Sequence, residues 1–248
     1  MAAFLTFALV APMAAFGAIA VGERRPTWDR PARSAVLGLV GACLGVERED
    51  DDGQAALAGS YGVALLCHAP GRVLADYHTA QVPPARGKRR FATRAQELAA
   101  PDLATILSRR DYRTGAWHLG ALWTRDPAPR WTLPAIADGM RSPGFVPYLG
   151  RKSCPLGLPL HPLLDDAPDP GIALARRHRS GPEASFRHWA DAGSETVVAR
   201  DHWDDEDDLG RGLRTEFRRD QPRSRRLWQF DLRPEVIERL PALDGDAG

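Results

Sequence analysis

Three cationic clusters and one Tyr-His pair are the parts of this sequence whose residue types suit chemistry. Within 79–111 lie Arg86, Lys88, Arg89, Arg90 and Arg94, with Phe91 among them. Phosphates need cations and unstacked bases need aromatic faces, so this mixture suits a single-stranded nucleic acid. The same composition also describes a solvated basic loop. A second cluster is Tyr148-Leu149-Gly150-Arg151-Lys152-Ser153, where Gly150 lets backbone approach a ligand closely and Arg151 and Lys152 supply charge. The plainer reading is a connecting turn whose charges face water.

The third cluster, Arg24, Arg25, Arg30 and Arg33, precedes an apolar segment with Ser34 where an N-cap belongs. Free N–H groups and the helix dipole favour an anion there, so the arginines and the helix start suit a phosphate. No GK[ST] precedes the helix, which excludes a Walker loop. A capped core helix with solvated arginines is the equal alternative. Tyr77-His78 offers an imidazole that could act as general acid or base. A structural histidine at a strand end fits as well, and no Ser/His/Asp or HExxH pattern is present. The acidic run Asp204, Asp205, Glu206, Asp207 and Asp208 lacks EF-hand spacing and reads as a solvated loop tip. Arg214, Arg218, Arg219, Arg223, Arg225 and Arg226 form a basic patch that suits a polyanion or a protein partner, or pairs with the acidic run.

At 248 residues the chain can bury a substantial core, and its formal net charge of +1 leaves any polyanion affinity to local clusters. Cys43, Cys67 and Cys154 are odd in number and widely spaced, which argues against a disulfide scaffold and a structural zinc site. No cofactor is implied, and a reducing compartment is the simpler setting.

The elements that must position these clusters start with the uncharged opening MAAFLTFALVAPMAAFG. It lacks the positive n-region of a secretory signal, and Pro12 and Gly17 interrupt any membrane span. Export stays open on pattern alone. The favoured reading is a strand over residues 4–10 closed by a turn at Ala11-Pro12. Val36, Leu37, Leu39, Val40, Cys43 and Leu44 predict a buried helix ended by Gly45, and the following acids, Glu47 to Asp52, read as loop. Strands are predicted at 61–67, 73–76 and 116–124, and a short helix at 132–140 with Pro134 in its first turn. A final strand is hard to place, since 145–148 contains Pro147. Further strands are predicted at 195–199 and 226–230.

APMAAFG, RPT, PARSAVLGLVGACLGVERED, DYHT and PYLGRKSCPLGLPL occur in that order. In these ordered blocks the chain resembles the CasD family, the "Cas five" subunit of type I-E CRISPR Cascade, from about residue 4 to residue 230. RSAVLGLVGACLG and YLGRKSCPL carry most of the specificity. Ala11 stands where the family usually has Gly, and Phe16 where it has Trp. The resemblance implies an α+β protein: a ferredoxin-like (RRM-like) N-terminal domain of the RAMP superfamily over 1–145, carrying a basic thumb insertion at 79–111. A smaller β-rich C-terminal subdomain would occupy 146–248.

It further implies a non-catalytic, cytoplasmic RNA-binding and assembly subunit in antiviral defence. The subunit would hold the 5′ handle of the CRISPR RNA, cap the backbone of CasC subunits and help dock the large subunit CasA. Target DNA would be met only through the complex, and no membrane is involved. The RNA-binding residues expected are Arg24, Arg25, Arg33, Ser34, His78, Arg86, Lys88, Arg89, Arg90, Arg94, Tyr148, Arg151 and Lys152. The rival reading is a metal-independent endoribonuclease that processes repeat RNA.

Overall fold

A computed structural model describes residues 1–20, 22–84, 90–191, 196–203 and 212–243. Its centre is β1 (Ala2–Ala14), antiparallel to β5 (Ala104–Thr124), which is antiparallel in turn to β3 (Tyr61–Ala69). β6 (Leu163–Ala167) closes the outer side of β1. Side chains of a strand alternate between faces, and β1 uses both. Leu5, Phe7, Leu9 and Ala11 join one core with α1 (Arg33–Cys43) and α4 (Leu133–Arg141). Phe4 and Ala8 join a second core with α5 (Pro170–Ser180). The opening segment is therefore a doubly covered central strand, which explains its nearly continuous apolar run. No helix among the described residues is long and apolar enough to cross a membrane.

β1 does not end at Ala11-Pro12 as expected. Ala8 N donates to Leu160 O and Val10 O accepts from Gly157 N, so alternate residues turn their polar backbone to the outer edge. Pro12 belongs to that set, beyond the β6 ladder, and its missing N–H breaks no strand pairing. Ala11 pairs with Ala116 inside the sheet rather than shaping a turn.

β2 (Arg24–Arg25) lies parallel to β5, and β4 (Arg72–Val82) pairs with β5 on its other side from Arg72↔Thr114 to Val82↔Ala104. β4 and the first part of β5 make a projecting arm whose side chains are mostly exposed. α3 (Arg94–Leu98) lies within its loop. The sheet continues past β3 through β7 (Val197–Arg200), β9 (Gln229–Arg239) and β8 (Arg214–Ser224). Among the described residues the full order is β6-β1-β5-β3-β7-β9-β8. The sheet thus runs through the expected division at residue 145, since β6 and β7 both join the first strands.

The α1 expectations hold at one end only. Gly45 follows the last turn with φ +71, the left-handed conformation that glycine favours. At the other end the N-cap is Ala32, with Ser34 inside the first turn. Asp50 opens α2 (Asp51–Ser60) by accepting from Gly53 N at 2.8 Å, so the acids read as loop are a helix start. α4 begins as expected, with Thr132 Oγ1 accepting from Ala135 N at 3.3 Å. The 145–148 segment is not a strand; the sheet's edge is β6 instead. The expected strand at 226–230 is the start of β9, with Arg226 in the turn before it.

Candidate functional site

Register brings Arg24 and Arg25 of the third cationic cluster to the root of the arm. Arg24 pairs with Arg109 and Arg25 with Arg110 across β2 and β5, while Tyr77 and Asp76 sit opposite the same two arginines on β4. Cross-strand partners share a face, so Arg24, Arg109 and Tyr77 form a row on one face. Arg25, Arg110 and Asp76 form a row on the other. Tyr77 is 63% exposed. Asp111, 4% exposed, accepts from Arg24 Nη2 at 3.2 Å and lies 3.7 Å from Arg109 Nε. One buried carboxylate thus orients guanidinium groups that outnumber it.

The turn at 148–153 comes to the same place. Arg151 donates from Nη1 to Asp111 O at 3.0 Å and from Nη2 to Arg25 O at 3.1 Å. Its guanidinium lies 4.5 Å from the ring centroid of Tyr112. Carbonyl acceptors and an aromatic face fix this cation without neutralising it. Lys152 is exposed beside it, and Tyr148 makes an isolated bridge to Pro155. Gly150 does permit a close approach, but to the protein itself: at φ +90, an added Cβ would lie 1.6 Å from Ala15 O.

Arg33 and the start of α1 are placed elsewhere. Arg33 is 1% exposed; it donates from Nε to Asp201 at 2.7 Å and from Nη2 to the carbonyls of Ala58 and Tyr61. The free N–H of Arg33 donates to Asp220 Oδ2 at 2.8 Å. The anion at this helix terminus is therefore a carboxylate of β8, and Arg33 is a core group rather than a surface cation. Ser34 is half-buried, and its carbonyl accepts from Arg225 Nη2. Arg30, 4% exposed, bonds Glu235 and Glu216.

These groups belong to a buried ionic network with Arg218, Arg233, Asp201, Asp220 and Glu235, which fastens the β8–β9 pair to α1 and β3. Burial alone would raise the Glu235 carboxyl, but Arg30, Arg218 and Arg233 hold it below its usual range. Burial likewise opposes the charge on Arg30 and Arg233, and their carboxylate partners more than restore it. The patch at 214–226 is thus divided: Arg218 lies in the network, Arg214 pairs with Glu216, and Arg226 lies 3.6 Å from Asp51.

Along the arm, His78 faces Asp76 at 2.7 Å. Arg94 is engaged locally by Glu97 and the Gln81 carbonyl, both at 2.5 Å, while Arg90 is exposed and Phe91 is 38% exposed. Arg86, Lys88 and Arg89 lie outside the described residues, as does the acidic run at 204–208. Arg109, Arg110 and Asp111 carry the root of the arm yet were not singled out from sequence. The signal available was SRRDYR at 108–113, where charges occupy both faces of a strand. Among the described residues no three His, Cys, Asp or Glu side chains gather as a metal site.

Comparison with known proteins sets this geometry in a family. The sequence profile of the family described as CRISPR-associated protein (Cas_Cas5) matches residues 4–230. The chain belongs to that family. One Cas_Cas5-like relative, CRISPR system Cascade subunit CasD of Escherichia coli (strain K12), is 34% identical over 182 residues, covering 70% of this chain and 76% of that one. A chain in a solved structure titled CRISPR RNA-guided surveillance complex shares the fold, with a TM-score of 0.63 at 23% identity over 98% of this chain and 95% of that chain. Another, titled crystal structure of Cas protein, has a TM-score of 0.56 at 20% identity, covering 96% and 95%. The Cas_Cas5 assignment rests on sequence across most of the chain, and the two structures agree with it at the level of fold.

Proposed function

We propose that this Cas_Cas5 chain is a non-catalytic RNA-binding and assembly subunit of a type I-E Cascade, acting in the cytoplasm in antiviral defence. It holds the repeat-derived 5′ handle of the CRISPR RNA, caps one end of a backbone of CasC subunits and helps dock the large subunit CasA. Reading of target DNA is left to the RNA's own pairing. The observation that carries this reading is the row of Arg24, Arg109 and exposed Tyr77 on one face at the root of the arm, with Arg25 and Arg110 on the other face and Arg151 held against the Arg25 and Asp111 carbonyls. A phosphate backbone is met there by several oriented cations, and a base by an aromatic face.

The fold is read as a ferredoxin-like unit plus a β-rich extension. The order β6-β1-β5-β3, with α1 crossing from β1 toward β3 and α4 from β5 to β6, supports that reading. The β4–β5 arm is read as the thumb. Of the expected contacts, Arg24, Arg25, Arg90, Tyr148, Arg151 and Lys152 stay in the proposed interface, with His78 and Arg94 on the arm. Arg109 and Arg110 are added, while Arg33 and Ser34 serve the core.

Co-expression with the other Cascade subunits and a CRISPR RNA tests the proposal. Omitting this chain should expose the handle to nuclease and leave the particle incomplete. A particle that assembles and protects the handle equally without it overturns the reading. Cutting of repeat RNA by the purified chain in EDTA, abolished by His78→Ala, would establish the endoribonuclease instead.

A further inference from the structure

Trp28 lies between β2 and α1 and is 44% exposed, yet it is held at several points. Its N–H donates to Gly17 O at 3.0 Å, and its carbonyl accepts from Arg113 Nε at 3.0 Å. The preceding Thr27 hydroxyl accepts from Phe16 N at 2.9 Å. The ring is braced as well: the guanidinium carbon of Arg218 lies 5.0 Å from its centroid. Arg218 comes from β8, and its side chain is only 2% exposed. Its Nη1 donates to Pro31 O at 3.2 Å, while Nε and Nη2 lack hydrogen-bond acceptors. The indole face is one electron-rich surface beside this guanidinium, together with the carboxylates of Glu235, 3.5 Å from Nη1, and Asp220, 3.9 Å from Nε.

A guanidinium against one face leaves the exposure of the ring to its opposite face and edges. Arg113, which holds the Trp28 carbonyl, follows Tyr112 on β5, and the Tyr112 ring carries Arg151. The indole therefore belongs to the same strand-and-loop unit as Arg24, Arg25, Arg109 and Arg110. A flexible surface tryptophan would lose rotamer freedom when a ligand packed on it, whereas this one is already ordered. Asp29 beside it is paired with Arg30, and the arginines of β2 and β5 on the same unit outnumber their carboxylate, so the fitting occupant carries both negative charge and a flat aromatic face. An apolar peptide would match the indole but not the arginines.

We propose that Trp28 is a stacking platform for one unpaired base of the RNA held at the root of the arm. The inference rests on the RNA-binding reading and adds to it a fixed point that sets where one base lies. Stacking accepts any base, so Trp28 would set register rather than sequence.

The test uses the assembled complex with synthetic CRISPR RNA carrying 2-aminopurine at each handle position in turn. The wild-type and Trp28→Phe complexes should quench one and the same position, and Trp28→Leu should lose that quench while still retaining the RNA. Equal fluorescence at every position in wild-type and Trp28→Leu complexes, with RNA retained, overturns the platform and leaves the RNA-binding reading standing. Particles that hold the handle equally without this chain overturn both. Loss of particle assembly in Trp28→Leu, with no quenched position in wild type, assigns the indole to a protein contact and also overturns the platform.

Discussion

Arg33 Nε lies 2.7 Å from Asp201 Oδ2, and neither side chain is more than 4% exposed. Asp201 also accepts from Val63 N and lies 3.0 Å from Arg233, so the pair joins the start of α1 to β3 and β9. Replacing Arg33 by alanine leaves a buried carboxylate short of a partner, which costs about 3–5 kcal/mol. Arg33→Ala should lower the denaturation midpoint steeply. In a double-mutant cycle, Arg33→Ala and Asp201→Ala should be far from additive. An unchanged midpoint with selectively weakened RNA binding would return Arg33 to the interface.

The exposed cations at the root of the arm predict the opposite pattern. Arg25→Gln and Arg110→Gln should leave thermal stability near wild type, because both residues are exposed. Each should weaken RNA retention and reduce the slope of log affinity against log salt by about 0.7 per charge removed. A salt titration of RNA release from the assembled particle measures this. An unchanged slope in the double variant would remove these arginines from phosphate contact.

How far the sequence revealed all this depends on the element. β1, α1, β3 and α4 were legible because runs of strand-forming apolar residues, helical periodicity, Pro134 in a first turn and Gly45 lie within short windows of the chain. α2 was hidden because Asp50 to Asp52 look like solvated acids, although acids at a helix start are favourable. β8 and β9 hid for a deeper reason: their pattern is inverted. Arg218, Asp220, Arg233 and Glu235 point inward while Phe217 and Leu232 are exposed, so polarity misreports which face is buried. Arg25 and Arg151 were recognisable as cations, but their contact spans 126 positions, and only the fold could join them.

His118 makes stability sensitive to acid. Burial, reinforced by Arg30, His68 and Arg113, pushes its imidazole from 6.5 down to about 3. Above pH 6.5 the ring is neutral in both folded and unfolded chains, and its contribution is constant. As pH falls toward 3, the unfolded chain binds a proton that the folded chain refuses, so stability is lost by at most about 1.4 kcal/mol per pH unit. His178, lowered to about 4 by burial, Arg187 and His68, acts in the same direction. Both ring nitrogens of His118 lack hydrogen-bond partners. His118→Leu should therefore preserve stability at pH 7.5 and flatten its decline between pH 6.5 and 4, as read by urea unfolding. An undiminished slope would place the acid sensitivity elsewhere.

Gly150 controls the position of Arg151. A side chain at φ +90, driven into Ala15 O, forces the turn away from β1. Gly150→Ala should cost at least about 1–3 kcal/mol of local strain. It should also weaken RNA retention more than Lys152→Ala does, because it displaces a guanidinium held between Asp111 and Arg25. Equal retention in the two variants would show that the placement of Arg151 is immaterial.

The arm's inner strand is also the sheet's central one. β5 is 21 residues long, with β4 beside its outer portion and β1 and β3 flanking the remainder. A pull on the outer part is therefore carried along a single backbone into two ladders strained in shear. Those ladders distribute the load over many hydrogen bonds at once. The projection behaves as a beam built into the wall of the molecule, and a partner tugging on it would be tugging on the core.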